Sequence, residues 1–204
     1  MSRFDRQNGF TLIEIMIVIA IIAAVIGIGA PRLFSTGSAM RATVRELAIL
    51  PKEIRSFARL YGNTERLVIQ MDEDEGHKYW VEASSGSALL LSEDQEKDLS
   101  RLSSAQREEE IGSIPHFEVE KKLTAKPKSL SRGLFFQSVE LANRQAPITG
   151  GVAYIHFFPK GLGDEAAIHL TDRKNLNWTI SIHPLTGKAT VREGFIALKD
   201  LRTQ

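Results

Sequence analysis

Hydrophobic and polar positions change their spacing twice along this chain. From Phe10 to Ala30 there is no spacing: FTLIEIMIVIAIIAAVIGIGA is apolar on every side, with Glu14 its single charge. As a helix rising about 1.5 Å per residue this run is roughly 30 Å long, the thickness of a bilayer's hydrocarbon core. After Pro31 the pattern becomes helical and one-sided. Met40, Val44, Leu47, Ile54, Ala58 and Tyr61 form a stripe, and Arg41, Arg45, Lys52, Arg55 and Arg59 occupy the opposite face. The simplest reading of that basic face is a solvated one. Pro51 lacks an N–H and clashes one turn back, so it is expected to bend or divide the helix. Gly62-Asn63 is a stop signal. Phe10–Tyr61 thus reads as one long, bent helix.

Beyond residue 62 the period falls to two. Leu67, Ile69 and Met71 alternate with Arg66, Val68 and Gln70, a turn follows at 72–76, and Lys78–Glu82 returns as the second arm of a hairpin. From about 84 to 110 the chain is rich in Ser, Glu, Asp and Gln and reads as a polar insertion. Phe117–Glu120 predicts a short strand, and Lys121–Lys128 a basic loop. Strands are expected at 134–139, 152–158, 167–170, 178–182 and 189–192, with turns at 159–163 and 186–188. Strands so spaced, without intervening helices, predict an antiparallel sheet or small sandwich. The fold class is therefore α+β, a long N-terminal helix packed on an antiparallel β-rich head.

Composition removes several functions. Among 204 residues the net charge is +1 and there is no cysteine. No global basic field suggests nucleic acid, and disulfide frameworks and thiolate metal sites are excluded. The five histidines do not cluster in sequence. His156 and His169 fall on successive strands and are candidates to face each other, but a metal site needs three or four converging ligands. The acidic tip 72–75 lacks the ligand spacing of a calcium loop and reads as a solvated turn. Glu108-Glu109-Glu110 is a charge run. No phosphate loop, nucleophile elbow or zinc motif is present, so no enzyme activity, cofactor, metal or small-molecule substrate is expected.

The leader MSRFDRQNG carries Arg3 and Arg6, which favour a cytoplasmic position and place the C-terminal part outside. The apolar run exceeds the roughly 7–15 residues of a signal-peptide core, and Pro31-Arg32-Leu33 is not a small-residue cleavage site. An ordinary anchor explains the length but not Glu14, which costs about 2.5–3.5 kcal/mol within a spanning helix. Gly9-Phe10-Thr11-Leu12-Ile13-Glu14 resembles the G-F-T-L-x-E signature of type IV pilins and type II secretion pseudopilins. The resemblance implies cleavage between Gly9 and Phe10 by a prepilin peptidase and methylation of the Phe10 amine. It makes Glu14 the fifth mature residue, the family's assembly and register acid. Pro31 becomes the twenty-second, where such proteins commonly carry a kinking proline. Glu14 is then expected to pair with an N-terminal amine, most plausibly a neighbouring subunit's, since two buried charges cost less together than apart.

A second resemblance lies in the tail. Phe157-Phe158-Pro159-Lys160-Gly161 and Leu185-Thr186-Gly187-Lys188 resemble the F-F-P-x-G and L-T-G-K turns of H-type minor pseudopilins and related minor pilins. The implied organisation is a leader at 1–9, a transmembrane or filament-core helix at 10–30, its amphipathic continuation at 31–62, and a periplasmic head at 63–204. The implied partners are the prepilin peptidase, other pilin-like or pseudopilin subunits, and an inner-membrane assembly platform. The implied role is a minor pseudopilin of a type II secretion system, with a minor pilin of a type IV pilus as the alternative. Lys188, Arg192 and Lys199 are candidate DNA contacts under that alternative, but Glu193 and Asp200 dilute them and no stacking platform is evident.

Overall fold

The computed structural model describes residues 12–74, 76–84 and 116–201, with the side chains of 25–36 outside the description. The polar insertion falls almost wholly outside these residues. Helix α1 is Leu12–Tyr61, and its backbone is helical through both Pro31 and Pro51. The division expected at Pro51 does not occur. Proline's fixed φ suits a helix, and the lost hydrogen bond is offset where Leu47, Leu50 and Ile54 are fully or almost fully buried around it. The helix ends at Gly62, whose φ of +69° is the left-handed cap conformation.

Among the described residues nine strands follow: β1 (Thr64–Met71), β2 (Lys78–Ser84), β3 (Phe117–Val119), β4 (Lys128–Ser129), β5 (Phe135–Leu141), β6 (Gly151–Phe157), β7 (Ala166–Thr171), β8 (Asn177–Ile182) and β9 (Ala189–Glu193). A short helix α2, Leu198–Leu201, comes after them. The first sheet has the order β3-β2-β1-β6, and β4 also pairs with β2. The second has the order β5-β7-β8-β9. All pairings are antiparallel, as the alternating patterns require. The structure is thus α+β and consistent with a pilin-like fold.

The expected hairpin is β1–β2, in register from Thr64 opposite Ser84 to Gln70 opposite Lys78. The outer edge of β2 is fully used. β3 pairs with its end and β4 with its start, while Val81 between them donates to Thr124 Oγ1 and accepts from Glu120 N. Part of the expected basic loop is therefore the short strand β4.

One core joins three layers. Met40, Val44, Leu47, Ile54 and Ala58 of α1 pack with Leu67, Ile69 and Ile155 of the first sheet and with Ile168, Leu170, Ile180 and Ile182 of the second. Tyr61, expected in the stripe, is 48% exposed because the helix has run past the core. The basic face is not wholly solvated either. Arg55 is half-buried, and its Nε donates to Gly161 O at 2.7 Å.

Candidate functional site

The N-terminal part of α1 differs from every other part of the described molecule. Every described side chain from Leu12 to Ala24 is exposed, including Ile13, Ile15, Met16, Ile17, Val18, Ile19, Ile21 and Ile22. A helix apolar on all sides has its stable place inside something else, a bilayer or other proteins. Burying each Ile, Leu or Met side chain is worth about 1.5–3 kcal/mol. Glu14 stands in the first turn, where the positive end of the helix dipole favours an acid. Gly9 and Phe10 lie outside the described residues. Pro31 lies within the helical backbone, with its side chain outside the description. Among the described residues no helix is long and apolar enough to cross a membrane. The span expected over 10–30 extends past the side chains described.

Residues 4–30 match the prokaryotic N-terminal methylation motif. The match supports a type IV pilin-like character for this segment, with prepilin peptidase processing, a membrane-anchored precursor and assembly with pilin-like subunits in general. No curated protein and no solved structure matches the chain.

The two turns that carry the tail resemblance both seat against α1. Gly161 has φ +83°, and a Cβ there would lie 2.9 Å from Arg59 Cδ. Gly187 has φ +65°, and a Cβ would lie 3.1 Å from the Pro51 carbonyl. Glycine is needed at both for the same two reasons, a left-handed backbone and close approach to the helix. The helix and the head are thus fastened at Pro51, Arg55 and Arg59. Glu46 adds a third fastening: it ion-pairs with Lys128 of β4 at 2.5 Å and hydrogen-bonds Tyr79 of β2. Burial, with the Glu46 charge second, pushes the Tyr79 hydroxyl well above the usual phenol range.

The histidines do not converge. His156 is on β6 in the first sheet and His169 on β7 in the second, so the facing pair expected from their succession does not form. Alternation reports faces of a strand, not which sheet the strand joins. His156 instead contacts Asp164 at 3.0 Å. Among the described residues no group of His, Asp and Glu is placed to hold a metal. In the acidic tip, Asp72 accepts from Asp74 N and Glu73 pairs with Arg173 at 2.6 Å. Lys188, Arg192 and Lys199 are spread over a turn, β9 and α2.

A cavity of about 330 Å³ opens where the sheets meet, lined by residues that include His77, Phe135, Thr149 and Arg173. His77 Nδ1 accepts from Phe136 N, and burial holds the imidazole below its usual range. The Arg173 guanidinium lies 4.0 Å from the centre of the Phe135 ring and is tied to Glu73. The Arg173 charge is therefore already engaged by Glu73, which lines the same cavity.

Two polar groups of the core have surroundings that were not read in the sequence. Glu65 is fully buried with no partner at either carboxylate oxygen; desolvation, with Glu120 second, pushes its carboxyl up to about 7. His169 is 1% exposed and lies between Thr179 and Glu140. The alternation that turns Leu67 and Ile69 inward also turns Glu65 inward, so its burial carried a signal. The His169 contacts carried none.

Proposed function

We propose that this chain is a minor pseudopilin of a type II protein secretion system. It is a structural subunit, not a catalyst, of a periplasmic filament that helps export folded proteins across the outer membrane. The observation that carries this reading is the methylation motif at 4–30, which contains an exposed helical stretch over 12–24, apolar but for Glu14, ahead of a folded head. The precursor sits in the inner membrane with its head in the periplasm. Prepilin peptidase cuts after Gly9 and the Phe10 amine is methylated. The helix then leaves lipid for the apolar core of a filament, and Glu14 meets the amine of the adjoining subunit. A lone carboxylate in that core is costly and a paired one much less so. The pair therefore selects one axial register. An inner-membrane platform supplies the assembly machinery, and no nucleic acid or small molecule is required. The F-F-P-x-G and L-T-G-K turns, both seated on α1, support a minor subunit of either the secretion or the pilus type. A minor pilin of a type IV pilus is the second reading, favoured by the same motif and helix.

Intact mass and N-terminal analysis of the protein from host membranes, with and without the peptidase, test the reading. A chain beginning at methylated Phe10 only when the peptidase is present is expected. A chain beginning at Met1 in both would leave a simple anchor. Deleting the gene then separates the two filaments: lost export with pili intact supports secretion, and lost pili with export intact supports the pilus.

A further inference from the structure

The segment from Gly194 to Leu201 crosses the outward face of the second sheet. Gly194 N donates to Asn177 O, Ile196 N to Thr179 Oγ1 on β8, and Leu198 N to Glu140 Oε2 on β5. Between them Phe195 stacks on His169 of β7, ring centres 4.1 Å apart. The segment is a strap over β8, β7 and β5, and two of its backbone N–H anchors, at Ile196 and Leu198, go to side chains that meet at His169.

The protons in that group can be counted. Thr179 Oγ1 has one hydrogen and two lone pairs. Its neighbours are Gly194 O at 2.8 Å, Ile196 N at 3.1 Å and His169 Nδ1 at 3.1 Å. Gly194 O only accepts, so it takes the hydroxyl hydrogen. Ile196 N only donates, so it takes one lone pair. Nδ1 must then donate to the other and carry a proton. The second ring nitrogen, Nε2, lies 3.1 Å from Glu140 Oε1. With Nδ1 already protonated, that contact requires one more proton, held on the imidazolium or on the carboxyl. Without it a lone pair faces a carboxylate.

We propose that residues 194–201 form a strap held on the second sheet by one proton shared between His169 and Glu140, and that loss of this proton as pH rises releases it. Two outcomes follow deprotonation. The ring keeps its Nδ1 proton and the Glu140 contact becomes repulsive, or the proton moves to Nε2 and Thr179 must turn its hydrogen from Gly194 to the ring. Either way one anchor is lost, and Ala167, His169 and Thr179 lose their cover. Burial works against the protonated imidazole and Glu140 works for it, with burial the larger, so the pair gives up its proton more readily than an ordinary imidazole beside a carboxylate. The charged groups on the elements packed around the pair are Glu140 on β5, Arg192 and Glu193 on β9, and Lys199 and Asp200 on the strap. Of these, Glu140 is the one that ion-pairs with the imidazole among the described residues.

The test is amide hydrogen exchange of the full chain in detergent micelles from pH 5 to 9, corrected for the intrinsic rate. Protection at Ile196 and Leu198 should fall tenfold or more as pH rises, while Ile168 and Ile180 keep theirs. Glu140→Gln provides the decisive arm. A glutamine donates N–H to Nε2 and still accepts from Leu198 N, so it closes the strap without the extra proton, and protection should become flat with pH. Flat protection in the wild type, or an unchanged fall in Glu140→Gln, overturns the proposal. If the variant does not fold, the ring nitrogen shifts of wild-type His169 decide. A proton on Nδ1 at every pH where the strap is closed supports it, and a proton on Nε2 alone overturns it.

Discussion

Residues 12–24 and residues 40–58 belong to one helix, yet their apolar side chains have opposite fates. Ile17 is 54% exposed and Leu47 not at all. Both stretches are rich in large apolar residues, so hydrophobicity alone does not separate them. Arrangement does. Around Leu47 the apolar residues form a stripe that two sheets cover. Around Ile17 they surround the helix, and no single head can cover all sides of it. The first half of α1 is therefore built for an outside apolar partner and the second for the chain's own core. The strongest way to break this contrast is to cut into the covered half. Leu47→Ala should destabilise the head by about 2–5 kcal/mol, the usual cost of a buried cavity. Denaturant unfolding of the full chain in detergent reads it directly, and a loss under 1 kcal/mol would mean that α1 is not part of the head's core.

A second effect of similar size lies beneath the covered half. Glu65 has no partner, and its carboxyl is raised from 4.5 to about 7. A raised acid binds its proton more tightly folded than unfolded. The stability it contributes is thus complete below about pH 4.5 and is lost as pH rises through about 7. At about 1.4 kcal/mol per pH unit the loss is on the order of 3 kcal/mol. Glu65→Gln keeps the shape without the charge. Its advantage over the wild type should therefore be small at pH 5 and grow to about 3 kcal/mol by pH 8. An advantage that stays constant between those values would mean that the carboxyl is solvated in the folded head.

How far the sequence reveals these features follows from the range of the signals. The N-terminal motif was legible because its residues are contiguous: glycine, phenylalanine and acid lie within six residues, and the apolar run follows at once. The helix stripe and the β1–β2 hairpin were legible because period and turn are local. The division into two sheets was not, since alternation gives each strand two faces but no partner. That is why His156 and His169 were paired in expectation and are separated in fact. β4 and α2 are too short to show a period. Glu140 and Thr179 reach His169 across separations of 29 and 10 residues. Only the registers that set Ser138 and Thr179 opposite His169, and Glu140 opposite Ala167, bring them together.

The sharpest form of the comparison is also its smallest effect on the head. Ile17 touches none of the core, so Ile17→Ser should change head stability by no more than about 0.5 kcal/mol, as for a surface position. The same substitution places a hydroxyl in whatever apolar phase surrounds residues 12–24, where it must find a partner or lose hydration. Retention of the precursor in membranes, or its incorporation into filaments, should therefore fall while the unfolding midpoint of the head stays fixed. A shift of that midpoint comparable to Leu47→Ala would show that the N-terminal half folds back on the head in solution. The two halves of α1 would then serve one core, and the case for an outside partner would be lost.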